Sequence, residues 1–202
     1  MSNSKLESSP GGFARFWRLL RRPSARYSLL TLLVIGFFAG ILFWGGAHTA
    51  LAWTNTEKFC ISCHEMRDNV YKEYQETIHY TNRTGVRAVC TDCHVPREWG
   101  PMIQRKIAAS RELYGKIVGT IDTREKFQAK RLVLAKREWA RMRANDSLEC
   151  RNCHSLESMD TEKQKQRARK SHEMATKTGE TCIDCHQGIA HHKPEVEDEE
   201  AI

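Results

Sequence analysis

The chain has 202 residues, with 32 Lys and Arg against 25 Asp and Glu and a formal charge of +7. That length suits one modest domain with accessories, and the positive balance calls for a negatively charged partner, cofactor or surface. The basic residues form no nucleic-acid motif with interleaved aromatics, so nucleic acid is not expected as a partner.

The first predicted element is a membrane anchor. Arg15, Arg18, Arg21, Arg22 and Arg26 precede a stretch, residues 27–56, that contains no Asp, Glu, Lys or Arg. A spanning helix needs roughly 20 mostly apolar residues, and the apolar run from Leu29 to Trp53 supplies them. Five arginines before the span and none directly after it keep the N-terminus cytoplasmic and send the rest of the chain across the bilayer. Trp17 and Trp53 suit interfacial positions. Ala50-Leu51-Ala52 has the look of a signal-peptidase site, but signal h-regions run about 7–15 residues, shorter than this one. The expected division is a basic N-terminus at 1–27, an anchor at 28–53, a second domain at 54–193 and an acidic tail at 194–202.

All eight cysteines then fall into four pairs of one form: Cys60-Ile-Ser-Cys63-His64, Cys90-Thr-Asp-Cys93-His94, Cys150-Arg-Asn-Cys153-His154 and Cys182-Ile-Asp-Cys185-His186. C-x-x-C-H is the attachment pattern of c-type haem, in which two thiols form thioethers to the porphyrin and the adjacent histidine faces the iron. Zinc knuckles, redox-active cysteine pairs and disulfide frameworks do not require that histidine. Its presence in every motif, with no cysteine left over, predicts four covalently bound haems. The first cysteines lie at 60, 90, 150 and 182, a pair, a long gap and a second pair, with His79 inside the first pair and His172 inside the second. The pattern reads as a duplicated dihaem unit.

In the long gap Ile103, Ile107, Ser110, Tyr114, Ile117 and Ile121 recur at three- and four-residue steps, which predicts a helix with these residues on one face. Gly119 and Asp122-Thr123 mark a break, and Phe127, Leu132, Ala135, Trp139 and Met142 predict a second helix. Residues 103–146 hold twelve Lys or Arg and five Asp or Glu. A solvated face is the ordinary explanation; the two propionates of each haem offer a sharper one, since the forked arginine donors suit carboxylates. The fold class expected is mainly α: one transmembrane helix and a small multihaem domain with little sheet, built as two pseudo-repeated dihaem units. About 140 residues cannot bury a large core unaided, so this domain should depend on its haems to fold. The tail is acidic, apolar-poor and expected to be mobile.

Four irons need sixth ligands. Beyond the motif histidines and His48 near the span, the chain has His79, His172, His191 and His192, with Met66 and several lysines as alternatives. His191 and His192 are adjacent and point differently, so one of them is expected to ligate.

The stretches "NTEKFCISCHEMRDNVY", "HYTNRTGVRAVCTDCHVP", "SRELYGKIVGTIDT", "ECRNCHSLESMD" and "TCIDCHQGIAH" resemble the NapC/NirT family of membrane-anchored tetrahaem cytochromes, above all the branch that oxidises quinol for a periplasmic nitrate reductase. The resemblance covers all but the termini. It implies a single-pass protein of the bacterial inner membrane, a periplasmic haem domain, quinol as substrate and a periplasmic reductase as acceptor: nitrate reductase first, otherwise a nitrite or N-oxide reductase. Function as a terminal multihaem reductase is the rival reading, and homo-oligomerisation is left open. It also implies that Met66, in C-x-x-C-H-x-M, ligates the first iron in place of His64, beside an open position facing the quinol. Lys106 would serve the third haem, His191 the second and His79 the fourth, with Glu112 at the quinol site. Two departures stand out. Arg97 occupies a position that is histidine in close relatives, and a guanidinium has no lone pair to offer a metal. His172 lacks a counterpart in the shorter nitrite-reductase partners, although the internal repeat marks it as a candidate ligand.

Overall fold

The computed structural model describes residues 12–20 and 23–194; Arg21, Arg22 and most of the acidic tail lie outside the described residues, as does the side chain of Arg18. The protein is mainly helical, and no strand occurs among the described residues. It divides into two compact units, one ending at Ala50 and the other beginning at Leu51.

In the first unit, helix α1 spans Gly12–Leu20 and α2 spans Leu29–Thr54. Ser28 starts α2 as an N-cap, its hydroxyl accepting from Thr31 N at 3.2 Å, which satisfies one of the amides that a helix start leaves unpaired. The apolar stretch Leu29–Trp53 has a mean hydropathy of 2.2 and none of it is buried within the protein. At about 1.5 Å rise per residue it is long enough to cross the hydrocarbon of a bilayer. The helix runs without interruption through Ala50-Leu51-Ala52.

The second unit is built from short helices at the cysteine motifs and three long connecting helices. They are α3 (Glu57–Cys60), a π-helical turn (Met66–Val70), α4 (Tyr71–Gln75), α5 (Cys90–His94), α6 (Trp99–Ile117), α7 (Arg124–Ala144), α8 (Leu148–Arg151), α9 (Gln166–Thr178) and α10 (Cys182–Cys185). The break between α6 and α7 falls where the sequence places it. Gly119 takes a φ of 71°, a conformation that costs glycine little, and Thr123 caps α7 by accepting from Lys126 N at 3.3 Å. Gly179 ends α9 in the same left-handed conformation, its amide returning to Ala175 O at 2.9 Å.

The fully buried apolar residues described are few: Tyr74, Ile121, Phe127, Met142 and Ile183. This small core agrees with the limited burial expected of the domain. On α7 the predicted inward face holds, with Phe127 and Met142 buried and Leu132, Ala135 and Trp139 half-buried. On α6 the apolar stripe lies mostly on the exposed side. Ile107, Tyr114 and Ile117 project outward, while Arg105, Lys106 and Lys116 turn toward the domain and find polar partners there. The apolar stripe is the outer face of this helix, because its inner face is organised by polar contacts and not by aliphatic packing.

Candidate haem-ligation sites

The four cysteine motifs neighbour one another in chain order. Helix α3 packs on α5, and α5 on α8. Cys60 and Cys90 lie side by side. Cys93 lies near Cys150 and Cys153, and Cys150 near Cys182. No disulfide joins any of the eight. No cluster of three or more His, Cys, Asp or Glu able to hold a bare metal ion occurs among the described residues. The histidines instead come in twos.

Three motif histidines each face a second histidine. His94 and His191 stack with ring centres 6.2 Å apart, His154 and His79 meet edge-on at 6.3 Å, and His186 and His172 lie at 6.0 Å. A metal bonded to both rings of a pair would hold their centres about 6 Å apart, from two metal–imidazole bonds of about 2 Å and roughly 1 Å from each nitrogen to its ring centre. The residues present therefore fit haem iron. Hydrogen bonding fits as well. Nδ1 is engaged by Glu138 on His94 (2.9 Å), by Val70 O on His191 (3.1 Å) and by Gln164 Oε1 on His172 (2.8 Å). Engaging Nδ1 fixes the tautomer and leaves Nε2 for a metal. Burial, with His94 alongside, pushes His191 down to about 4, and burial next to His154 lowers His79. Both are held in the neutral form that has a lone pair to donate.

Each distal ring is positioned by its own scaffold. Tyr74 Oη lies within hydrogen-bonding reach of the carbonyls of His79 and Ala88, and Ala88 N donates to His79 O at 3.1 Å. His79 has the backbone of Ile189 beside it, but its buried Nδ1 makes no hydrogen bond of normal geometry. His172 sits on the inward side of α9, whose Arg167, Lys170 and Met174 face outward. His191 lies in a segment gripped by Arg131 and Glu73 through the backbone of His192.

The first motif differs from the other three. His64 has no histidine opposite it; its side chain is half exposed, with Nε2 3.5 Å from Glu65. Glu65 is 3 % exposed and receives Lys116 Nζ at 2.8 Å; burial opposes its ionisation, but Lys116 outweighs burial and lowers its pKa. Met66 is half-buried and opens the π-helical turn, a feature that recurs at functional sites.

Other expected residues fall in different places. Lys106, allotted to the third haem by resemblance, has its ammonium 2.9 Å from both Thr54 O and Thr54 Oγ1 and close to Cys60 of the first motif. His79, allotted to the fourth, faces the third motif, and the fourth is faced by His172. Glu112 is 48 % exposed on α6, with both terminal nitrogens of Arg105 at 3.4 Å. Arg97 is largely exposed, 3.7 Å from Asp92. Much of the basic run is occupied by protein carboxylates: Arg105, Lys116, Lys126, Arg131, Arg141 and Arg143 each pair with one or more.

The sequence reading missed Glu138, the carboxylate on His94. Its signal was available: it is the sole acid inside the inward stripe of α7, one residue before Trp139 and three before Arg141.

The model of the NapC/NirT cytochrome c family, N-terminal region, matches residues 22–196. The chain is 72% identical over 177 residues, 88% of each chain, to "Denitrification system component NirT" of Stutzerimonas stutzeri. It is 56% identical over 200 residues to "Cytochrome c-type protein NapC" of Escherichia coli (strain K12), 99% of this chain and 98% of that one. It is 46% identical over 183 residues to "Cytochrome c-type protein TorC" of the same strain, 90% of this chain and 47% of that longer one. No solved structure matches significantly. The chain belongs to the NapC/NirT cytochrome c family and is a membrane-anchored cytochrome with covalently bound haem.

Proposed function

We propose that the protein oxidises quinol at the surface of the bacterial inner membrane and delivers the electrons, through four haem sites in series, to a periplasmic reductase. The observation that carries this reading is the set of three histidine pairs at 6.0–6.3 Å, joined by contacts between successive motifs to a fourth, methionine-bearing motif. That motif begins six residues after the last residue of the apolar helix.

The haem held at each site supplies one-electron transfer, and the protein's own residues do the rest. His94 with His191, His154 with His79, and His186 with His172 would hold the second, third and fourth irons through Nε2. At the first site Met66 takes the place that the motif histidine fills elsewhere. Lys106 ties α6 to Thr54, shortly before that motif, instead of ligating. Quinol oxidation releases two electrons, taken one at a time by the haems, and two protons, of which Glu112 accepts one and periplasmic water the other. Arg105 pairs with the carboxylate on one side, and the exposed side stays open to substrate. The N-terminus lies in the cytoplasm and the haem domain in the periplasm, following the arginines at 15–26.

Replacement of Glu112 by Gln is the test. Reduction of the haems by a reduced quinol analogue should slow while haem content stays at four per chain; unchanged reduction kinetics would remove Glu112 from the site. Nitrate reductase is the acceptor favoured by the resemblance. The 72% identity to a denitrification component supports a nitrite or other denitrification reductase as the second reading. Mixing the reduced protein with each reductase separates the two by which one reoxidises it.

A further inference from the structure

The six paired histidines differ in what holds Nδ1. His191 and His172 donate to neutral oxygens, of Val70 and Gln164. His79 Nδ1 is buried without a hydrogen bond. Among the described residues, His94 alone of the six has a carboxylate there, Glu138 Oε1 at 2.9 Å.

Glu138 is built into its place. Its side chain is 21 % exposed. Oε1 also receives Arg141 Nη2 at 2.7 Å and Nε at 3.1 Å, and Arg105 Nη2 stands 3.8 Å from Oε2. The same arginines hold the backbone of the motif: Arg141 Nη2 lies 3.3 Å from Cys93 O, and Arg105 Nε donates to His94 O at 3.2 Å. The carboxylate is therefore aimed at one imidazole by two cations that also fix that imidazole's backbone. An imidazole donating Nδ1–H to a carboxylate is a more basic metal ligand. Hydrogen bonding of this kind is one of the protein's levers on haem potential, and a more basic ligand favours the oxidised iron.

We infer that Glu138 is a positioning residue that lowers the reduction potential of the haem held by His94 and His191, and of that haem alone, through the Nδ1–H of His94. The inference rests on the ligand pairs proposed above. In a relay of four sites it loosens the second site's hold on an electron and so favours transfer onward to the third.

Potentiometric titration of the full-length holoprotein, followed by optical and electron paramagnetic resonance spectra, tests it in Glu138→Gln. One midpoint of the four should rise, by about a tenfold change in that haem's reduction equilibrium, or 59 mV for one electron. The histidine-ligated low-spin signals should all remain. The shifted haem should be the one whose signal is lost in His191→Ala. Unchanged midpoints, a shift spread over several haems, or loss of a histidine-ligated signal in Glu138→Gln each overturn the inference. If Glu138→Gln does not accumulate as holoprotein, Glu138→Asp, one methylene shorter, should give a smaller rise at the same haem; no rise there is equally decisive. Fewer than three histidine-ligated haems in the wild type would instead refute the ligand pairs, a failure distinct from that of the inference.

Discussion

Arg131→Ala tests how the segment carrying His191 is held. Arg131 on α7 and Glu73 on α4 form a largely buried pair, with side chains 12 % and 14 % exposed. The guanidinium meets both carboxylate oxygens, at 2.6 and 2.5 Å. It also donates to His192 O at 2.7 Å, while His192 N donates to Glu73 Oε2 at 2.9 Å. Three elements thus meet at one ion pair, adjacent in sequence to a proposed haem ligand. Removing one partner of a buried pair costs about 3–5 kcal/mol, because the other charge is left uncompensated. Residual exposure of both groups puts this pair at the low end, about 3 kcal/mol, and at about 1.4 kcal/mol per factor of ten the population with the segment released should grow roughly 100-fold. Covalent haem stays attached when the segment opens, so the event can be followed as loss of histidine ligation during denaturant titration. Arg131→Ala should lower that midpoint and let one haem bind carbon monoxide more readily. Adding Glu73→Gln to Arg131→Ala should recover part of the loss, since no orphaned charge remains and neighbouring effects do not add. An unchanged midpoint in Arg131→Ala, or losses in the double variant equal to the sum of the singles, would refute the reasoning.

Three further variants probe the second unit. Ser147 is fully buried with a φ of 51°, and Ile183 N donates to its hydroxyl at 3.2 Å, linking α8 to α10. Ser147→Ala leaves that amide unsatisfied and should destabilise the holoprotein by about 1–3 kcal/mol in thermal unfolding, with haem content unchanged; equal melting curves would argue against the link. At the first motif, Met66→Leu should change the ligand field of one haem in the electron paramagnetic resonance spectrum, while His64→Ala should leave all four fields as they were. The opposite pattern would assign that iron to His64.

What the sequence made legible follows from how local each constraint is. Thioether attachment fixes cysteine and histidine spacing within five residues, so all four motifs could be read directly. Helices α6 and α7 and the turn between them could be read from periodicity, Gly119 and the cap at Thr123. The inward face of α6 could not. Pattern reading equates apolar with buried, whereas here Ile107 and Tyr114 lie outside and Arg105 and Lys116 make the inner contacts. Glu138 stood out as an acid within the inward stripe of α7, but its partner was not legible, because His94 lies on a distant segment.

The internal repeat was visible in the sequence, but it extends only as far as local structure does. Asp92 and Asp184 occupy the same position of the second and fourth motifs and do the same work. Each accepts from the backbone amide that precedes the first cysteine, of Val89 and Thr181, at 2.8 Å. Ring pairing departs from the repeat. His172 faces the motif that follows it, as a duplicated unit would have it, but His79 crosses to the third motif and His191 returns from the C-terminal segment to the second. In the proposed ligand set, the second and third sites are each assembled from both halves of the domain, and the fourth lies wholly within the latter half. Neither half can then complete its own relay. The crossing ligands bind two short-helix units with a small apolar core into one body, and they commit the second and third sites to form together.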